Sequence, residues 1–143
     1  MAESGKAIFS ARLDRGVLRR LEDRKRETAL SKSRLAERYI DEGMRMERHP
    51  GIVFRDGPTG RRAALAAGPD VWELLRFMRA DPGEEPPTIR RAAELLSLNP
   101  TQIDAALRYY AEFTEEIDER IELDARVAAR EEAAWRRQQA ALE

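Results

Sequence analysis

The chain has 143 residues, 42% apolar and 37% charged, with 26 Lys/Arg against 27 Asp/Glu, a length and mix that suit one ordinary domain or two small helical ones rather than a large globular core. With no cysteine and one histidine, disulfides and thiolate metal sites are excluded, and neither a metal centre nor a cofactor is expected. No apolar run resembles a signal peptide or reaches the roughly 18 residues of a membrane span, so a soluble cytoplasmic protein is expected.

The net charge of −1 conceals a gradient. Residues 1–50 hold thirteen Lys/Arg against nine Asp/Glu, residues 51–99 seven against seven, and residues 100–143 six against eleven. A basic head is drawn to a polyanion and an acidic tail is not, which predicts two kinds of partner.

The first predicted element is a strand over Lys6–Leu13. Ala7, Phe9, Ala11 and Leu13 alternate with Lys6, Ile8, Ser10 and Arg12, giving one apolar and one mostly polar face. Asp14 is placed to cap a helix running to about Glu27, with Val17, Leu18 and Leu21 inward. After a turn at Thr28–Leu30, Ser31 starts a second helix with Leu35, Ala36, Tyr39, Ile40 and Met44 on its inner face. One strand and two helices in so short a segment cannot close the strand edge or bury enough apolar surface alone. Antiparallel pairing with a second copy about a two-fold axis meets both needs, so a homodimer or higher even oligomer is expected.

The composition changes at His49-Pro50-Gly51. Ile52–Phe54 and Arg61–Leu65 predict a hairpin whose loop is the six residues Arg55–Gly60. Gly68-Pro69-Asp70 opens a helix over Val71–Arg79, and Thr88 opens another over Ile89–Leu96 after a Pro/Gly/Glu linker at Asp81–Pro87. Asn99 as cap and Pro100 at the first helical position start a third, with Ile103, Leu107, Tyr110, Ile117 and Ile121 at helical spacing. From Asp124 onward Ala, Arg, Glu and Gln dominate, predicting a long solvated helix or tail. The expected architecture is mainly α in three parts: residues 1–48, residues 49–123 (the hairpin and helices) and residues 124–143.

The segment Phe9-Ser10-Ala11-Arg12-Leu13-Asp14-Arg15-Gly16-Val17-Leu18, with Leu30-Ser31-Lys32-Ser33-Arg34-Leu35, resembles the ribbon-helix-helix family of Arc, MetJ and CopG-like repressors over about residues 6–46. The resemblance implies an intertwined dimer whose paired ribbon enters the major groove of double-stranded DNA. It assigns base reading to Ile8, Ser10 and Arg12, and phosphate binding to Lys6, Ser31, Lys32 and Ser33. Arg12 is the strongest reader, because a guanidinium can bond bidentately to guanine O6 and N7. The dimer core it implies is Phe9, Ala11, Leu13, Leu18, Leu35 and Tyr39. His49-Pro50-Gly51-Ile52, the glycine-rich turn and Val71-Trp72-Glu73-Leu74-Leu75 resemble a small domain of unknown function that recurs in VapB-like antitoxins.

Together these imply a sequence-specific repressor, the antitoxin of a type II toxin–antitoxin pair that autoregulates its operon and captures a toxin through its C-terminal half. The alternative is a stand-alone regulator whose C-terminal half oligomerises or senses a ligand. Removing everything after Phe113 is expected to spare DNA binding and abolish partner capture. The stretch Thr88–Ile103 has the look of a second helix-turn-helix. The carboxylates that follow it, Glu112, Glu115, Glu116, Asp118 and Glu119, favour packing or protein binding there over DNA. No serine or threonine has a histidine suited to nucleophilic catalysis, and Gly57–Gly60 lacks the Lys-Ser/Thr pair of a phosphate loop. An enzyme is not expected.

Overall fold

The computed structural model describes residues 5–142. They form six helices and one two-stranded antiparallel sheet, and the chain divides into two compact units, with the boundary between Asp41 and Glu42. Mainly helical architecture with a small hairpin agrees with the sequence reading.

The first unit holds α1 (Arg15–Glu27) and most of α2 (Lys32–Arg48). Asp14 caps α1, its Oδ1 accepting from the amides of Gly16 (2.8 Å) and Val17 (3.4 Å). Ser31 does the same for α2, its Oγ accepting from Arg34 N at 3.2 Å. The expected strand over Lys6–Leu13 is absent: these residues are irregular within one chain. The alternation is present, but a ladder needs a neighbouring strand in register, and the only two strands of the described residues are already paired in the second unit.

In the second unit, β1 (Ile52–Gly57) pairs with β2 (Gly60–Leu65) from Ile52↔Leu65 to Gly57↔Gly60. The loop is therefore Pro58-Thr59, not the six residues Arg55–Gly60. Charged side chains ended the apolar alternation without ending the backbone ladder: Arg55 faces Arg62, and Asp56 faces Arg61, with which it forms an ion pair at 3.4 Å. Gly60 sits at φ 109°, a conformation that a residue with a Cβ rarely adopts, and so closes this short turn. Arg55 Nη2 donates to the carbonyls of Leu65 (2.7 Å) and Gly68 (2.8 Å), holding the chain as it leaves β2.

Next come α3 (Val71–Met78), α4 (Ile89–Leu96), α5 (Pro100–Glu112) and α6 (Thr114–Ala140). Thr88 caps α4 by accepting from Arg91 N at 3.1 Å, and the helix ends at Ser97 in the left-handed region (φ 54°). Asn99 and Gln102 form a reciprocal capping box on α5, with Asn99 Oδ1 accepting from Thr101 N (2.9 Å) and Gln102 Oε1 from Asn99 N (2.8 Å). The apolar spacing through Ile121 conceals a break at Phe113 (ψ 44°), where α5 stops and α6 begins. The core of this unit gathers Ile52, Leu65, Val71, Leu74, Ile103, Tyr109 and Ile117.

Helix α6 passes through residue 124 without interruption and is mostly exposed beyond it. Its first turns belong to the core, because Ile117 is buried and Glu116 bonds Tyr109. A cut after Phe113 would open that core, so it would not separate two functions cleanly as expected. No described helix is long and apolar enough to cross a membrane.

Candidate nucleic-acid interface

The first unit has very little interior. Among the described residues, Leu35 is its only fully buried side chain, and Leu18 is half-buried. The other residues expected in a dimer core lie open: Phe9 is 77% exposed, Leu13 49% and Tyr39 44%, with Ala11 exposed as well. Leu13, Val17, Leu21, Ala36, Tyr39 and Ile40 line an apolar groove of about 470 Å³ on this helix pair. Such an unfilled apolar surface is large for a unit of this size, and a stable fold at this length usually requires more burial.

The three expected readers share the arm before α1. Ile8 is 98% exposed, and Ser10 and Arg12 are exposed too. Arg12 forms no ion pair among the described residues. The four expected phosphate ligands fall into two pairs. Ser31 and Ser33 lie at the start of α2, where Ser31 Oγ is already engaged in capping and Ser33 is exposed. Lys6 and Lys32 are each engaged by a carboxylate: Lys6 Nζ lies 2.7 Å from Glu37, and Lys32 Nζ 3.3 Å from Glu22. The hydrogen bond from Lys6 holds the Glu37 carboxyl below its ordinary pKa. The start of α2 exposes unsatisfied amides and the positive end of the helix dipole, a suitable place for an anion.

The second unit contains a polar cluster around the buried Tyr109 that sequence patterning missed. Arg45, near the end of α2, donates from Nη1 to Tyr109 Oη at 2.8 Å and to Glu116 at 3.0 Å, while Tyr109 Oη donates to Glu116 at 2.9 Å. The guanidinium also lies 3.9 Å from the centroid of the Phe113 ring. Burial disfavours the Arg45 cation, but Tyr109 and Glu116 outweigh it and raise its pKa. Burial, with the Glu116 charge adding to it, pushes Tyr109 well up, so the phenol stays a neutral donor. His49 is buried beside this cluster, with its ring edge-on to Tyr109 and its Nε2 2.7 Å from Glu112. Helical spacing pointed to Leu107 and Tyr110, which are only half-buried, and passed over Tyr109, which is fully buried. The available signal was that an aromatic with a hydroxyl can be interior if its oxygen has a partner. This partner, Arg45, is 64 residues away in sequence.

On the hairpin side, Glu42 takes a forked pair from Arg61 (2.6 and 3.0 Å), and buried Asp70 accepts from Arg62 and from Trp72 Nε1 (3.2 Å). Burial, and then the neighbouring Asp70 charge, raises the Glu73 carboxyl above its ordinary pKa. A carboxyl raised in the folded state adds stability as pH falls through that pKa, and its ionisation at neutral pH works against folding. Glu73→Gln is therefore expected to raise Tm slightly at pH 7, on the order of 1 °C, and to have no effect at pH 4. Paired thermal melts test this, and equal shifts at both pH values would contradict it.

Among the described residues no group of three or more His, Asp or Glu side chains is placed to hold a metal ion. The exposed outer face of the possible helix-turn-helix offers little free positive charge, since Arg108 is paired with Asp104 at 2.9 Å and Arg91 with Glu94 at 3.3 Å. Comparison with known proteins gives no match: no protein family, no curated protein and no solved structure is similar to the chain.

Proposed function

We propose that this protein is a dimeric ribbon-helix-helix repressor that reads double-stranded DNA with paired arms from two copies. The observation that carries this reading is the open groove on α1 and α2, together with an arm whose alternate residues Phe9, Ala11 and Leu13 are apolar and exposed. A second copy filling the groove and pairing the arm would bury that surface and satisfy the arm's backbone. The other arm face would then present Ile8, Ser10 and Arg12 to a major groove, with the start of α2 on the flanking phosphates. Work on an operator implies a cytoplasmic protein.

The second unit captures a toxin protein, so that the chain acts as an antitoxin repressing its own operon. The exposed Trp135 on the long α6 supports this, as an aromatic anchor of the kind that concentrates binding energy. Bound toxin would change operator affinity by stabilising or bridging dimers. The stand-alone regulator is favoured by Leu123 and Val127, also exposed on α6, which could pair helices of two copies. A small nuclease-like reading frame beside the gene separates the two readings.

The direct test is a gel-shift titration against the chain's own promoter at two salt concentrations. Arg12→Ala is expected to lower operator affinity by about 1–3 kcal/mol while the dimer stays folded. Unchanged affinity in that variant would remove the arm as the reader.

A further inference from the structure

Lys6 and Lys32 are the two ammonium groups that the DNA reading assigns to phosphate, and each is already held by a carboxylate of the same unit. Lys6 Nζ lies 2.7 and 3.0 Å from the two oxygens of Glu37, and Lys32 Nζ lies 3.3 Å from Glu22 Oε1. Arg24 and Arg26 of the same unit are also paired, with Glu27 and Asp23, whereas Arg12, Arg15 and Arg19 form no ion pair among the described residues. Neither carboxylate is buried: the Glu37 side chain is 60% exposed and the Glu22 side chain 45%. Ion pairs this open contribute little to folding, so their main physical consequence is the charge that the unit presents to a polyanion.

We propose that Glu37 and Glu22 act as internal competitors of DNA phosphate, occupying Lys6 and Lys32 and so setting a low sequence-independent affinity for duplex DNA. This rests on the DNA reading and deepens it by naming what limits phosphate binding.

Sequence-independent binding draws essentially all of its free energy from counterions released when lysine or arginine neutralises a phosphate. A lysine already held by a carboxylate must leave that partner first, and the freed carboxylate then gathers a cation from solution. The net release per phosphate falls, so both affinity and salt dependence are reduced. Base contacts by Ser10 and Arg12 do not enter this exchange. The attenuation therefore applies equally to every sequence and leaves discrimination between sequences unchanged.

The test is fluorescence anisotropy of a labelled duplex of arbitrary sequence, titrated with the full chain over a series of salt concentrations. Glu37→Gln and Glu22→Gln are each expected to tighten binding by about 1.5- to 5-fold at low salt. Each should also steepen the log–log salt slope by about 0.9 for every phosphate gained. Glu132→Gln, which removes the same charge from the Glu132–Arg136 pair on α6, is the control for net charge. In a Lys6→Gln background the effect of Glu37→Gln should shrink to that of the control. If Glu37→Gln and Glu22→Gln match the control, or if Glu37→Gln keeps its effect without Lys6, the competition is overturned while the DNA reading stands. If the parent chain binds no duplex at any salt, the DNA reading itself fails and the competition with it.

Discussion

Tyr109→Ala is expected to destabilise the second unit by about 3–5 kcal/mol, as for other large aromatics cut back to alanine in a core. Tyr109 is fully buried, touches the rings of His49, Phe54 and Phe113, and donates to Glu116 while accepting from Arg45. Truncation leaves a cavity and also strips a partner from a half-buried guanidinium and a carboxylate. A domain of this size has a total stability of roughly 5–15 kcal/mol, so such a loss brings it close to unfolding. Tyr109→Phe keeps the ring and removes only the hydroxyl. It should cost less, about 1–2 kcal/mol, because Arg45 and Glu116 still bond each other at 3.0 Å. Urea unfolding followed by circular dichroism and by tryptophan fluorescence measures both, with half-buried Trp72 as a reporter within the unit. If Tyr109→Ala unfolds at the same urea concentration as the parent, the cluster is a surface ornament and α2 is anchored elsewhere.

Ile40→Glu carries the other large effect, on assembly rather than on the second unit. Ile40 is 49% exposed and lines the groove of the first unit. In a lone chain a carboxylate there stays in water at little cost. In a dimer that fills the groove the same carboxylate would be buried among Leu13, Val17 and Tyr39, at a cost of several kcal/mol without a partner. The expected outcome is loss of the dimer in sedimentation and loss of the operator shift, with the unfolding of the second unit unchanged. A variant that sediments and binds DNA like the parent would mean that the groove is not where two copies meet.

Much of the local structure is written in short stretches of sequence. Asp14, Ser31, Thr88 and Asn99 each announce a helix start, because a cap acts over two or three residues and needs nothing distant. Val71, Leu74 and Leu75 of α3 follow helical spacing and are buried as the spacing requires, with Met78 half-buried. The hairpin was legible in existence but not in length, since its ladder continues through paired charges that carry no apolar signal. The break at Phe113 was not legible either. Apolar spacing continued across it, and helix-forming residues lie on both sides.

The sequence by itself determined the helix starts, the mainly helical class and the separation of a basic head from an acidic tail, all of which arise from neighbouring residues or from simple sums of charge. Period-two alternation put Ile8, Ser10 and Arg12 on one face of an expected strand, and only the family resemblance made them candidate readers. Only the tertiary structure decided that Tyr109 is interior, that His49 is tied to Glu112 across 63 residues, and that Lys6 and Lys32 are held by Glu37 and Glu22. These depend on which distant side chain arrives within about 3 Å, and a hydrogen bond or ion pair formed that way leaves no periodic trace in the chain.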